Sequence, residues 1–266
     1  MKRGEVSVSV ILPTFNRAAL LARSINSVLA QTFGDFELIV VDDGSQDGTE
    51  TVVRDLADER IHYLRLPCNV GLPAARNAGL AQTRGAFVAF QDSDDEWHGE
   101  KLERQMCAMR AHPAASVVYS DMHRRSPDGT MMYLHSPTIE RGRLINPQTR
   151  FWQSYMLAMQ PALVRRACLK EIVFDEAFVL FEDLDLYLRL AQRYEFVHLK
   201  EALVTYYEGI GITADRRREM RARRHLLRKY GGLVLEGDPA FLIKETLDVL
   251  FRRSLMPIVN RHLTPL

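Results

Sequence analysis

Over the first 120 residues, short unbroken apolar runs alternate with stretches in which apolar residues recur every three or four positions. The runs at 6–12, 36–41, 61–66, 86–90 and 116–119 have strand length, and their near-continuity suits strands covered on both faces. Between the first two, Leu20, Leu21, Ile25, Val28 and Leu29 form a helical stripe. Ser45-Gln46-Asp47-Gly48 signals a second helix, and Gly71-Leu72-Pro73 opens a third with proline in its first turn. This alternation predicts a βα repeat feeding a parallel sheet, hence an α/β fold.

After Asp121 the pattern changes. The turn Ser126-Pro127-Asp128-Gly129 between short flanks predicts a hairpin and an antiparallel extension of the sheet. Residues 151–158, 166–172 and 182–194 read as helices, 195–199 and 202–207 as two short strands, and the last fifty residues as a helical tail. The expected division is a main domain over 1–210, with halves 1–120 and 121–210, and a helical extension over 211–266.

With 266 residues, 47% of them hydrophobic, the chain has ample material for a core. Its 35 Lys and Arg against 34 Asp and Glu, a net charge of +1, give no reason to expect a nucleic-acid partner. The charge is uneven, however: 214–230 holds Arg216, Arg217, Arg218, Arg221, Arg223, Arg224, Arg228 and Lys229 against Asp215 and Glu219. That segment reads either as a solvated helix face or as a contact, at 216–229, for acidic lipid headgroups or a diphosphate-linked acceptor. Three unpaired cysteines fit a reduced, cytoplasmic chain, and no run approaches the ~18 apolar residues of a spanning helix, so membrane contact is expected to be peripheral.

Two strands end in acidic clusters: 36–41 runs into Asp42-Asp43-Gly44-Ser45, and 86–90 into Gln91-Asp92-Ser93-Asp94-Asp95. Either could be a simple turn, and Asp-Asp-Gly-Ser is good turn chemistry. Carboxylates just past the carboxyl ends of parallel strands also gather where open α/β sheets bind ligands, and a crowd of them calls for a cation. Glu182-Asp183 at a predicted helix start could be capping alone. Asp185 and Arg189, four apart, read as a surface pair.

Val8 to Arg17 (VSVILPTFNR), Val40-Val41-Asp42-Asp43-Gly44-Ser45, Asn69-Val70-Gly71 with Ala75-Arg76-Asn77-Ala78-Gly79, the Asp92-Ser93-Asp94-Asp95 cluster, and Phe174-Asp175-Glu176 followed by Glu182-Asp183-Leu184-Asp185 occur in this order. In order and spacing they resemble the family-2 glycosyltransferases of GT-A fold, over roughly 6–210. The resemblance implies a metal-dependent, inverting transfer of one sugar from a nucleotide-diphosphate sugar, UDP foremost, to a hydroxyl of a glycan or lipid-linked acceptor. It assigns Pro13, Thr14, Asp42 and Asp43 to the base and ribose, Arg76 to the base or diphosphate, Asp92 to the ribose, Asp94 to Mn²⁺ or Mg²⁺ with Asp95 as substitute, and Asp183 to the general base. A carboxylate can accept the imide N–H that uracil has and cytosine lacks.

The Gln-x-x-Arg-Trp motif of processive synthases is absent from the sequence, which favours single-sugar addition. The segment 207–213 lacks the basic residue many relatives place there, so His198, Arg216 and Arg217 all stand as candidates for a diphosphate contact. Trp97 and Trp152 could stack on a sugar or fill the core. A nucleotidylyltransferase is disfavoured because Leu12-Pro13-Thr14-Phe15-Asn16-Arg17 has no glycine, and a non-catalytic nucleotide-sugar-binding module because Glu182-Asp183 is kept.

Overall fold

The structure, a computed structural model, describes residues 6–136, 138–139, 158–209 and 216–237. Strands β1 (Val8–Thr14), β2 (Phe36–Asp42), β3 (Ile61–Arg65) and β4 (Phe87–Phe90) form the parallel half of one sheet in the order β3-β2-β1-β4. Helices α1 (Ala18–Leu29), α2 (Thr49–Asp55) and α3 (Leu72–Gln82) make the crossovers. All seven residues of β1 and of β2 are buried, as their continuous apolar runs demand.

Two cores explain that burial. Val10 and Leu12 pack with Leu21, Ile25 and Val28 of α1 on one face of the sheet. Ile11 points to the other, where it joins Ala75 of α3 and the core of the second half. Gly79 permits the close approach of α3: a Cβ there would lie 2.7 Å from Ile11 Cγ2. Burial of side chains of this kind contributes roughly 1.5–3 kcal/mol each.

The second half adds β5 (Glu96–Trp97), α4 (Lys101–Ala111), β6 (Ala115–Arg125), β7 (Met131–Leu134), β8 (Ala162–Arg165), α5 (Arg166–Glu171), α6 (Glu182–Ala191), β9 (Glu195–Tyr207) and α7 (Arg216–Gly237). β8 pairs antiparallel with β4 and β6, and so joins the two halves. β6 and β7 form the expected hairpin, with Gly129 at φ +86° in its turn.

Three expectations change. The two short strands after residue 194 are one, β9, which runs parallel to β6 and absorbs Lys200 and Glu201 in a register shift. β8 was not anticipated. Asp185 is no surface residue: it is fully buried, and its carboxylate is met by Arg189, Lys229 and Tyr230. The predicted helix over 151–158 falls outside the described residues except for Ala158, which is not helical. Cys68, Cys107 and Cys168 are unpaired, as expected. Among the described residues no helix is long and apolar enough to cross a membrane.

Candidate active site

The chain leaves β1 in opposite lateral directions, to β2 on one side and eventually to β4 on the other. Between the carboxyl ends of β1 and β4 the strand order therefore reverses, which opens the crevice where α/β sheets take ligands. Thr14, Asp42 and Asp92 all stand at or just past that edge.

At the end of β2 the carboxylates are engaged by the chain itself. Asp42 accepts the Ser45 N–H at 2.8 Å and the Tyr63 hydroxyl. Asp43 accepts the N–H groups of Val70 at 2.7 Å and Gly71 at 2.9 Å, and its own N–H donates to Thr14 O at 2.8 Å. Gly44, at φ +78°, has no room for a side chain, since a Cβ would lie 2.7 Å from the Cys68 carbonyl carbon. The turn chemistry read from the sequence is thus realised. Nearby, the Thr14 hydroxyl is buried without a partner, and Pro13 is buried beside it.

The end of β4 is built differently. Asp92 accepts from Arg76 Nη2 at 2.9 Å and from the Gln160 amide. Asp95 is fully buried, accepting from Tyr207 N–H at 2.8 Å and from the same Gln160 amide. Asp94 is partly exposed, with Arg17 Nη2 4.0 Å away. Burial pushes the Asp95 carboxyl up to about 9, with the charges of Asp92 and Asp94 adding to it. Burial and Asp92 likewise raise Asp94. Both shifts are upward because burial and neighbouring carboxylates outweigh the positive charge that Arg17 and Arg23 bring.

Arg76 ties this cluster to α6. It is 1% exposed, and Nη1 reaches Glu182 at 3.0 Å and Asp183 at 2.5 Å while Nη2 holds Asp92. The surface arginine that its sequence context allowed is therefore a buried hub. Phe181, left-handed at φ +67°, turns the chain into α6 so that Glu182 and Asp183 face inward. A non-glycine residue in that region costs of order 1–3 kcal/mol and is held by its surroundings. Asp183 also accepts the Met159 N–H at 3.0 Å. Burial raises its carboxyl to about 7, opposed by Arg76 and reinforced by Glu182 and Asp92.

The donor set fits a hard divalent cation. Asp94 and Asp95 have only oxygen to offer, and Gln160 Oε1 is buried with no partner. Among the described residues no group of three His, Cys, Asp or Glu side chains is placed to hold a metal ion. A Mg²⁺ or Mn²⁺ ion taken up by Asp94 and Asp95 would therefore need substrate phosphates to complete its shell.

Arg76, Asp92 and Asp183 are thus in direct contact, with Asp94 and Asp95 beside them, while Thr14, Asp42 and Asp43 lie across the crevice. Gln160 and the Tyr207 N–H were not anticipated: they approach from 65 and 112 residues away, and no local pattern marks them. His198 is engaged by Asp121 at 2.7 Å and stacks on Tyr119. The side chains of Arg216 and Arg217, and all of Trp152, lie outside the described residues. Trp97 fills the core, with the Lys101 amine 3.8 Å from its ring centre.

The family model described as glycosyl transferase family 2 matches residues 9–173. A curated relative, the UDP-Glc:alpha-D-GlcNAc-diphosphoundecaprenol beta-1,3-glucosyltransferase WfgD of Escherichia coli, is 43% identical over 102 residues, 38% of this chain and 40% of that one. The chain spans about half or less of the length of the first curated relatives it matches. Among solved structures, TarS 1-349 of S. aureus with UDP-GlcNAc superimposes with a TM-score of 0.68 at 24% identity, over 92% of this chain and 71% of that one. The mannosyltransferase PcManGT of Pyrobaculum calidifontis, with GDP-Man and Mn²⁺, gives 0.62 at 18% identity, over 92% and 70%. At these identities the likeness is one of fold, the GT-A fold.

Proposed function

The chain belongs to glycosyl transferase family 2, and we propose that it moves a single sugar from a UDP-sugar to a hydroxyl of a lipid-linked glycan precursor, inverting the anomeric carbon. The observation that carries this reading is the Arg76 bridge, which holds Asp183 and the strand-ending Asp92 on one guanidinium. The proposed base and the proposed leaving-group end thus share one crevice.

In this reading Pro13, Thr14, Asp42 and Asp43 line the nucleoside end. The unpartnered Thr14 hydroxyl supports that role, as do the second lone pairs left on Asp42 and Asp43. Asp92 meets the ribose. Asp94, with Asp95 behind it, would hold a divalent ion, which when bound supplies charge neutralisation for the departing diphosphate. Asp183 takes the acceptor proton as the hydroxyl attacks the face opposite the leaving group, and one in-line displacement inverts the anomer. Arg76 keeps Asp183 oriented and moderates the rise in its pKa. The lipid-linked acceptor is carried by the likeness to WfgD, and UDP by the acidic nucleoside end.

The test is a panel of UDP-, dTDP- and GDP-sugars with Mn²⁺, read by thermal shift and by the anomer of the product. A ligand that binds only the folded chain stabilises it by RT ln(1 + [L]/Kd). UDP-sugars should give the largest shift, and the product should carry the anomer opposite to the donor's. Equal shifts across the panel, or a retained anomer, would overturn the reading.

A further inference from the structure

A cleft of about 290 Å³ lies between α7 and the loop that leads into α6. Arg221, Arg224 and Arg228 line it, with Ala177, Val179 and Ala222 as its apolar wall. The spacing i, i+3, i+7 puts the three guanidinium groups on one face of α7. Next to that face, Ala222, Leu226 and Tyr230 are buried, and Lys229 is clamped to Asp175 at 2.6 Å and Asp185 at 2.7 Å. The helix is therefore fixed to the first turn of α6, and the cleft is a built feature.

Among the described residues, no carboxylate stands within ion-pair distance of Arg221, Arg224 or Arg228, whereas Arg223 on the same helix has Glu219 at 2.7 Å. Three unneutralised like charges on one helical stripe repel each other, and an anion would relieve that cost. Planar guanidinium forks match phosphate oxygens two at a time. The volume is at the low end of small-molecule sites, which run from ~300 Å³ upward, so it suits a headgroup rather than a whole glycan.

We propose that this cleft binds the diphosphate of a prenyl-diphosphate-linked acceptor, with Ala177, Val179 and Ala222 against the first carbons of the lipid. The proposal rests on the glycosyltransferase reading for its context and gives the acceptor a second point of attachment beside Asp183. Val179 precedes Asp183 by four residues, so their α-carbons are at most ~14 Å apart. An acceptor held there by its diphosphate would lie in the neighbourhood of the base. A concave cleft with an apolar wall favours a single linked diphosphate over the flat array of a bilayer.

The experiment titrates the full chain with geranyl diphosphate in EDTA, which separates this site from metal-dependent donor binding. Binding should survive Asp94→Asn and weaken at least ~10-fold, 1.4 kcal/mol, in the triple variant R221Q/R224Q/R228Q. The triple variant should still bind UDP with Mn²⁺, which shows that it is folded. Equal binding by the triple variant, or none by the wild type, overturns the proposal. So does charge-dependent sedimentation with phosphatidylglycerol vesicles that geranyl diphosphate does not compete away, since the cleft would then be a headgroup contact. Failure of the wild type to bind UDP would instead count against the glycosyltransferase reading, because the geranyl diphosphate arm is measured independently.

Discussion

The ends of β2 and β4 look alike in sequence, each an apolar strand running into aspartates, yet they are built on opposite electrostatic principles. Each carboxylate oxygen of Asp42 and Asp43 takes one donor from its own neighbourhood: Ser45, Tyr63, Val70 and Gly71. Asp94 and Asp95 are both raised by burial and by the charge of Asp92, and Asp94 raises Asp95 further. The one buried guanidinium described there, Arg76, is shared among Asp92, Glu182 and Asp183. The first cluster is braced by the chain with second lone pairs still open, and the second is short of positive charge. A run of acidic residues after a strand thus marks a place, and its hydrogen bonds tell whether its carboxylates are held by the chain or await a cation.

The contrast can be broken most severely at Arg76. Removing one partner of a buried ion pair leaves uncompensated charge, at a cost of ~3–5 kcal/mol. Arg76→Leu should therefore lower unfolding stability by about that amount in denaturant titrations. A loss within the ±0.5 kcal/mol typical of surface changes would mean that the bridge is not holding the cluster together.

Asp183→Asn keeps the shape of the side chain and removes its basicity. Transfer should fall on the order of 10²-fold or more while donor affinity stays unchanged. Because burial raises Asp183 to about 7, the carboxylate is lost as pH falls through that value, and wild-type turnover should climb from about pH 5 to about pH 8. A profile already flat above about pH 5 would deny Asp183 the role of base. Near wild-type turnover in Asp183→Asn would deny it too, and Glu182 would be next to test.

At the self-satisfied end, Asp43→Ala strands the N–H groups of Val70 and Gly71 and should cost ~1–3 kcal/mol of stability. The prediction sharpens the contrast because the cost should appear equally with and without Mn²⁺. A cost that appears only when Mn²⁺ and UDP are present would make Asp43 a member of the cation site.

The parallel half was legible because strands covered on both faces must be apolar throughout, and βα crossovers leave periodic and capping signals in order. The second half was less so, for physical reasons. β8 is four residues, Ala162-Leu163-Val164-Arg165, too short to show a period, and becomes a strand only by pairing with β4 and β6. Lys200 and Glu201 read as a break because polar residues interrupt the pattern, but a register shift carries the strand through them. Asp185 and Arg189 have the spacing of a surface pair, and only the packing of Lys229 and Tyr230 makes them interior. Within the site, the strand ends mark Asp42, Asp43, Asp92, Asp94 and Asp95, whereas Arg76 and Asp183 are singled out by the resemblance to the family. Gln160 could not be singled out, since an amide matters there only once folding sets it between Asp92 and Asp95.

The most direct measurement is the ratio of UDP affinities with and without Mn²⁺, taken by calorimetry on the wild type, Asp94→Asn and Asp43→Asn. If the end of β4 is the one completed by a cation, Mn²⁺ should tighten UDP binding, and more strongly as pH rises, because the raised carboxyls must give up protons to take the ion. Asp94→Asn should then lose at least ~10-fold of that enhancement, and Asp43→Asn should keep it. An enhancement that survives in Asp94→Asn, or that disappears equally in Asp43→Asn, would contradict the account.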